Sequence, residues 1–215
     1  MKQTGLPLLL KTVCDRVVAL GLLAVAAPVV AVAGVAVRAT MGSPVFFRQE
    51  RPGKNEAPFR IYKMRTMTDD RGPDGQLLSD AARLTPLGKF MRATSIDELP
   101  QLVNVLAGNL SLVGPRPLLH EYLPLYSREE ARRHDVLPGI TGWAQVHGRN
   151  ATTWEERLRL DVWYVDNWSP WLDVRILVKT AIAVVRREGI AQEGQATMER
   201  FRGHTKAAND ARSLS

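Results

Sequence analysis

Residues 17–37 read VVALGLLAVAAPVVAVAGVAV, twenty-one residues without a charge. A run of that length is enough to cross a hydrocarbon core of about 30 Å. Lys2, Lys11 and Arg16 precede it, and Arg38, Arg48, Arg51 and Lys54 follow it. Basic flanks favour the cytoplasmic side of a membrane, and one straight helix cannot keep both there. Pro28, near the middle, removes a backbone hydrogen bond and bends a helix. A helix that enters one leaflet, bends at Pro28 and returns satisfies both observations. A kinked spanning helix with its N-terminus outside is the alternative. A cleavable signal peptide fits poorly, because the run is too long and no small-x-small site is followed by the composition of a mature protein. The run therefore divides the chain into a re-entrant membrane helix (1–40), a cytoplasmic domain (41–202) and a frayed tail (203–215).

Working outward, the 215 residues allow one ordinary domain besides this appendage. The formal net charge of +7 attracts polyanions: nucleic acid, anionic lipid or a phosphorylated substrate. An inert basic surface is the plain alternative. The single cysteine, Cys14, excludes an internal disulfide and reads as apolar filler.

The segment 42–51, the turn Pro52-Gly53-Lys54-Asn55 and the segment 59–64 read as a short strand, a turn and a second strand, which predicts a β-hairpin. Residues 68–83 are polar and read as a surface loop. Thr85-Pro86 starts a helix that runs to about Arg92. Pro100 fits no deeper than the third helical position, which places the next N-cap at Asp97 or later and the helix end near Gly108. Leu118 to about Arg133 reads as helical, 138–146 as a turn into a short strand, and 154–167 and 171–187 as helices. Trp163, Tyr164, Trp168 and Trp171 suit either a headgroup layer or ordinary core packing. The fold class is α+β: a re-entrant membrane helix hairpin joined to a small, mainly helical cytoplasmic domain with a short β-hairpin.

The chemistry centres on the adjacent carboxylates of Asp97 and Glu98. Their plain reading is a helix N-cap and a first-turn acid. Their chemical reading is an anionic site that holds a divalent cation and supplies an oxygen nucleophile. Two carboxylates repel a phosphate, so a phosphate site here requires a cation, and Mg2+ suits carboxylate oxygens, phosphates and waters. Arg116, fixed between Pro115 and Pro117, is preorganised to grip a phosphate with both nitrogens. Lys63 and Arg92 are further candidates, each with a solvated surface charge as its plain reading. There is no phosphate-binding glycine loop, no Cys/His metal cluster and no nucleophile elbow. The four histidines, His120, His134, His147 and His204, show no ligand spacing and read as structural or surface groups.

These stretches together resemble a known family. PVFFRQER (44–51), FRIYKMRTM (59–67), TSIDELPQL (94–102), SLVGPRP (111–117) and PGITGWAQV (138–146), behind a proline-centred membrane hairpin, are similar to the bacterial sugar transferases, the small monotopic phosphoglycosyl transferases. The likeness covers nearly the whole chain. It implies transfer of a sugar 1-phosphate from a UDP-sugar to polyprenol (undecaprenyl) phosphate with release of UMP. It implies Asp97 as the nucleophile that carries a covalent phosphosugar, with Glu98 its partner, and both at a magnesium ion. It places Arg116 with Pro115 and Pro117 at the nucleotide or phosphate pocket. Lys63, Arg92, Arg149 and Asp161 match further positions in or near the site, and Asp173 a structural one. The family often has Ser before the hairpin proline; Ala27 stands here and leaves the bend to Pro28. The setting implied is the cytoplasmic face of a bacterial inner membrane, with downstream glycosyltransferases as partners and no nucleic acid. The stretch 187–201 is similar to the subgroup that transfers N,N'-diacetylbacillosamine phosphate in protein N-glycosylation. Hexose or N-acetylhexosamine donors are alternatives to that sugar. A membrane-anchored Mg-dependent diphosphate hydrolase and a catalytically silent lipid-docking protein are the rival readings.

Overall fold

The first helix, α1 (Gly5–Met41), absorbs the whole apolar run and its flanks as one element that continues through Pro28. Its 37 residues, at 1.5 Å each, extend about 55 Å, well beyond one hydrocarbon thickness. In this computed structural model, which describes residues 3–147, 153–186 and 200–203, most of α1 faces outward; Val25, Val32 and Val35 are among its most exposed residues. It meets the rest of the molecule at Lys11, Ala19, Ala26 and Val37. From Ala19 onward the steps are close to multiples of the helical period, so one face stays on the domain over that part of the helix, while Lys11 stands about 80° round from it. Ala19 and Ala26 leave no side-chain bulk there, and the core residues Leu102 and Val105 close over them.

A cis Ser43-Pro44 bond leads into an antiparallel hairpin, β1 (Phe46–Pro52) and β2 (Pro58–Met64), registered from Phe46 opposite Met64 to Pro52 opposite Pro58. The predicted hairpin is present. Its turn places Asn55 and Glu56 at positive φ. The polar stretch after it holds one short turn of helix, α2 (Asp80–Arg83). The predicted helix start at Thr85-Pro86 is also found: α3 (Pro86–Ala93) has Pro86 in its first turn, and the Thr85 hydroxyl accepts from Gly88 N at 2.9 Å.

A 3₁₀ turn, Ile96–Glu98, precedes α4 (Gln101–Leu106), and Pro100 is the N-cap of that helix. Asp97 therefore stands in a separate turn ahead of α4 and does not cap it. Next comes β3 (Ser111–Val113), which pairs in parallel with β4 (Gly139–Thr141). The chain between them departs from the expected helix. It is a 3₁₀ stretch His120–Leu125 that contains Pro124, a single turn α5 (Arg128–Ala131) opened by a Ser127/Glu130 capping box, and a 3₁₀ turn Arg132–His134. Proline at 124 denies a continuous helix its backbone donor, which the charge pattern alone does not reveal. The strand expected over 138–146 ends at Thr141, and α6 (Trp143–His147) takes over. Two longer helices, α7 (Trp154–Asn167) and α8 (Pro170–Arg186), complete the domain close to where the sequence puts them. The main core joins Leu102, Val105, Leu110, Val113, Tyr164, Trp168, Leu172 and Ile176 to the alanines of α1. Phe201 returns to a second cluster, stacked on Tyr126 and edge-on to Tyr122.

The N-terminal end of α1 is bolted down by buried polar groups. Lys11 Nζ donates to Asp173 Oδ2 at 2.5 Å, Trp168 Nε1 donates to the same oxygen at 3.1 Å, and Tyr164 OH donates to Oδ1 at 2.7 Å. Ser111 Oγ donates to Asp15 Oδ2 at 2.6 Å. Removing one partner of such a pair leaves a buried charge uncompensated, which typically costs about 3–5 kcal/mol. Lys11→Met is expected to destabilise the protein by about 3 kcal/mol, read as a lowered melting temperature in detergent together with faster proteolysis at the ends of α1.

Candidate active site

Ser95 adopts a left-handed conformation (φ 57°) and turns the chain out of α3, so that Ile96 and Asp97 face different surroundings. Ile96 packs against Val37 of α1, Met64 and Met91. Asp97 is buried, 8% exposed, yet among the described residues no hydrogen bond reaches its carboxylate. Glu98 is fully engaged. Lys63 Nζ, from β2, donates to Glu98 Oε1 at 2.6 Å. Arg116 donates with Nη2 to the same oxygen and with Nη1 to Oε2 at 3.3 Å. One carboxylate thus gathers a lysine and an arginine from two distant parts of the chain.

Backbone packing holds Arg116 in place. Gly114 N donates to Thr141 O at 2.9 Å and Gly139 N to Pro115 O at 3.0 Å. A Cβ on Gly114 would lie 2.4 Å from Leu137 O, and one on Gly139 only 2.1 Å from Gly114 N. Glycine is required at both for the strands to approach this closely. Arg133 adds a further tie: its Nη2 donates to the Arg116 carbonyl at 2.7 Å while Asp161 Oδ2 accepts from that nitrogen at 2.7 Å and from Nε at 3.1 Å.

The charges sort the two acids. Burial alone would raise the Glu98 carboxyl, but Arg116 and Lys63 overcome it and hold the group well below the usual carboxylate range. It stays ionised and makes a poor general base. Burial, followed by the neighbouring Glu98 charge, pushes Asp97 up to about 6, against the pull of Lys63, Arg92 and Arg116. At neutral pH Asp97 is mostly an anion, more basic than an ordinary aspartate and without a hydrogen bond among the described residues. Burial lowers Lys63, with Glu98 opposing; Glu98 raises Arg116.

The structure thus brings Asp97, Glu98, Lys63 and Arg116 together, with Pro115 and Pro117 buried on either side of the arginine. Arg92 lies within electrostatic reach of Asp97 and donates from Nε to Thr66 Oγ1 at 3.1 Å. Asp161 stands behind the site, 2% exposed, and acts on it through Arg133. Arg149 lies outside the described residues. Arg133 and Thr66 went unnoticed in the sequence, since an arginine in a charged Arg-Arg-His run carries no local sign of burial. Among the described residues no group of three metal-ligating side chains forms. Magnesium needs only one or two carboxylates beside phosphates and waters. Asp97, raised first by burial and then by its acidic neighbour, and without a hydrogen bond among the described residues, fits that demand.

The bacterial sugar transferase family model matches residues 6–187. The chain belongs to the bacterial sugar transferase family. It is 55% identical over 196 residues to the uncharacterized sugar transferase EpsL of Bacillus subtilis (strain 168), covering 91% of this chain and 97% of that one. It is 42% identical over 180 residues to a UDP-glucose:undecaprenyl-phosphate glucose-1-phosphate transferase of Caulobacter vibrioides, covering 79% of this chain and 67% of the relative. It is also 42% identical over 161 residues to a UDP-N-acetylgalactosamine-undecaprenyl-phosphate N-acetylgalactosaminephosphotransferase of Aeromonas hydrophila, covering 71% of this chain. The chain spans 38% of the length of that last relative. Membership makes the chain a sugar transferase, and its two named enzyme relatives differ in the sugar they carry.

The raised pKa of Asp97 has a thermodynamic sign. Between its ordinary value of 3.8 and about 6, the folded protein binds more protons than the unfolded chain, so this group lowers stability as pH rises through that window. Asp97→Asn removes the effect. It is expected to match the wild type near pH 4 and exceed it by up to about 3 kcal/mol at pH 7, measured by denaturant unfolding in detergent at both pH values.

Proposed function

We propose that this sugar transferase moves a sugar 1-phosphate from a UDP-sugar to polyprenol phosphate through a phosphosugar carried on Asp97. The observation that carries the reading is the division of labour in the carboxylate pair: Asp97 is buried, basic for an aspartate and free of hydrogen bonds, while Glu98 is spent on organising Lys63 and Arg116. In the first step an Asp97 carboxylate oxygen attacks the β-phosphorus, the bond to the bridging oxygen breaks, and UMP leaves with that oxygen. In the second, a phosphate oxygen of the polyprenol attacks the same phosphorus and the carboxylate is released, giving the polyprenyl-diphosphate sugar. Lys63, Arg92 and the donors of Arg116 not committed to Glu98 orient the diphosphate and offset its charge. Asp97 would hold a magnesium ion, joined by Glu98 only through Oε2, whose one contact, to Arg116, is long at 3.3 Å; the ion would neutralise phosphate charge when bound.

The attachment of α1 supports a re-entrant placement at a membrane surface. Lys11 near its start and Val37 near its end both pack on the same domain, as expected if both ends lie on one side of the bilayer. The basic flanks make that side the cytoplasmic one, in our reading the cytoplasmic face of the inner membrane. Ile96, beside the nucleophile, rests on the helix cluster, which brings the acid pair to headgroup height. The sequence 187–201 favours UDP-N,N'-diacetylbacillosamine as donor, with glycosyltransferases acting on the lipid-linked product. Comparing turnover across a UDP-sugar panel separates this from the glucose and N-acetylgalactosamine named for the relatives; indifference to the 4-acetamido group removes the assignment.

Incubation with radiolabelled UDP-sugar and no lipid, followed by a denaturing quench, is expected to leave label on the wild type and none on Asp97→Asn, with adduct formation falling as pH drops below about 6. Unaltered labelling of Asp97→Asn would rule out this nucleophile. Release of free sugar 1-phosphate without lipid would favour a hydrolase. For topology, Thr4→Cys in a Cys14→Ser background is expected to resist an impermeant thiol reagent applied outside intact cells and to react once the membrane is opened.

A further inference from the structure

The outward face of α8 carries an uncovered apolar row. Trp171, Val174, Val178, Ile182 and Val185 follow at steps of three and four, the spacing of one helix face. All are exposed, Trp171 to 75% and Val185 to 83%, while Leu172, Asp173 and Ile176 turn into the core. Arg175 and Lys179 stand one turn apart along one edge of this row. Both lie over the indole of Trp143: the guanidinium carbon is 5.9 Å and Lys179 Nζ 5.7 Å from the ring centroid. Trp163, an exposed residue, stacks on Trp143 with centroids 4.6 Å apart. His147 closes the group. Its ring lies 3.5 Å from that of Trp143, its Nδ1 donates to Trp143 O at 3.2 Å, and its Nε2 accepts from Lys179 at 2.8 Å. Burial first, then Lys179 and Arg175, lower this imidazole, so the ring adds no charge of its own at neutral pH. Among the described residues no carboxylate pairs with Arg175 or Lys179, and α8 holds no acid after Asp173.

We propose that this face seats an anionic phospholipid, its acyl chains along the apolar row of α8 and its headgroup phosphate held by Arg175 and Lys179 beside Trp143 and Trp163. The proposal is independent of the nucleophile and the donor sugar, and shares with the reading above only the placement at a membrane. Arg175 offers a guanidinium whose N–H groups are uncommitted among the described residues, and Lys179 gives one hydrogen to His147 and keeps two. Indole rings suit the depth of lipid headgroups. An apolar row edged with cations is the pattern of a helix that lies in the plane of an anionic bilayer surface. The site is also continuous with the membrane helix, since the first turn of α8 supplies the Asp173 that receives Lys11 of α1. Other occupants match less well. A soluble anion would satisfy the cations and leave the apolar row in water. A second copy of the chain would bring the same two cations to the contact and, on this face of α8, no acid to meet them.

Tryptophan quenching of the full chain in vesicles tests this. All five tryptophans lie between 143 and 171, so α1 adds nothing to the signal. The vesicles are phosphatidylcholine with a minor share of one lipid brominated near its headgroup. Brominated phosphatidylglycerol is expected to quench the wild type roughly twofold more than brominated phosphatidylcholine, because the two cations enrich anionic lipid beside Trp143 and Trp163. The double variant Arg175→Gln/Lys179→Gln is expected to bring the two lipids level, while quenching by brominated phosphatidylcholine persists through the apolar row. A control, Arg128→Gln/Arg159→Gln, removes two exposed charges elsewhere and is expected to keep the wild-type ratio. If the melting curve shows the first double variant unfolded, Arg175→Gln alone is expected to lower the ratio part-way. Equal quenching of the wild type by the two lipids overturns the proposal, as does a loss of preference as large in the control. A wild type quenched by neither lipid overturns it too, and leaves the placement of α1 to the separate thiol-labelling result. A dimer in detergent that Val178→Glu dissociates would assign the row to a second copy and overturn the lipid seat.

Discussion

The geometry of the site depends on one carboxylate shared between two cations. Glu98 draws Lys63 from a hairpin strand and Arg116 from a proline-braced segment to a single point. Without it, two positive charges would face each other in a half-buried cleft. With it, they stand as a neutralised cluster beside Asp97. Asp97 lies in the same space, and its burial first and the Glu98 charge second make it more basic. The basic Asp97 and the ionised Glu98 are thus set apart by their surroundings within one cluster.

That arrangement is buttressed by contacts that do no chemistry. Gly114 and Gly139 allow two short strands to touch backbone to backbone. Arg133 and Asp161 then fix the carbonyl of Arg116 from behind. Asn104 of α4 accepts from Tyr62 N at 3.2 Å and donates to Arg60 O at 2.7 Å, which holds the strand bearing Lys63 against the helix that follows the acid pair. A side chain held on several sides keeps its geometry when substrate arrives.

Much of this is legible in the sequence, and the parts that are not share a cause. The long helix, the hairpin and the start of α3 follow from local signals: an uncharged run, alternation about a Pro-Gly turn, and Thr before Pro. The candidate residues Asp97, Glu98, Lys63 and Arg116 lie on motifs and do converge. The stretch between β3 and β4 misleads because charge suggests helix while Pro124 breaks it. Asp161 is placed near the site by likeness but acts through Arg133, a relation made by residues far apart in the chain.

The bolt between Lys11 and Asp173 joins residues 162 positions apart. A ribosome delivers α1 well before the carboxylate that receives its lysine. The apolar helix can therefore reach lipid long before its own domain exists to hold it, and the cleft that would consume nucleotide sugar is completed only once the chain already sits at its place of work.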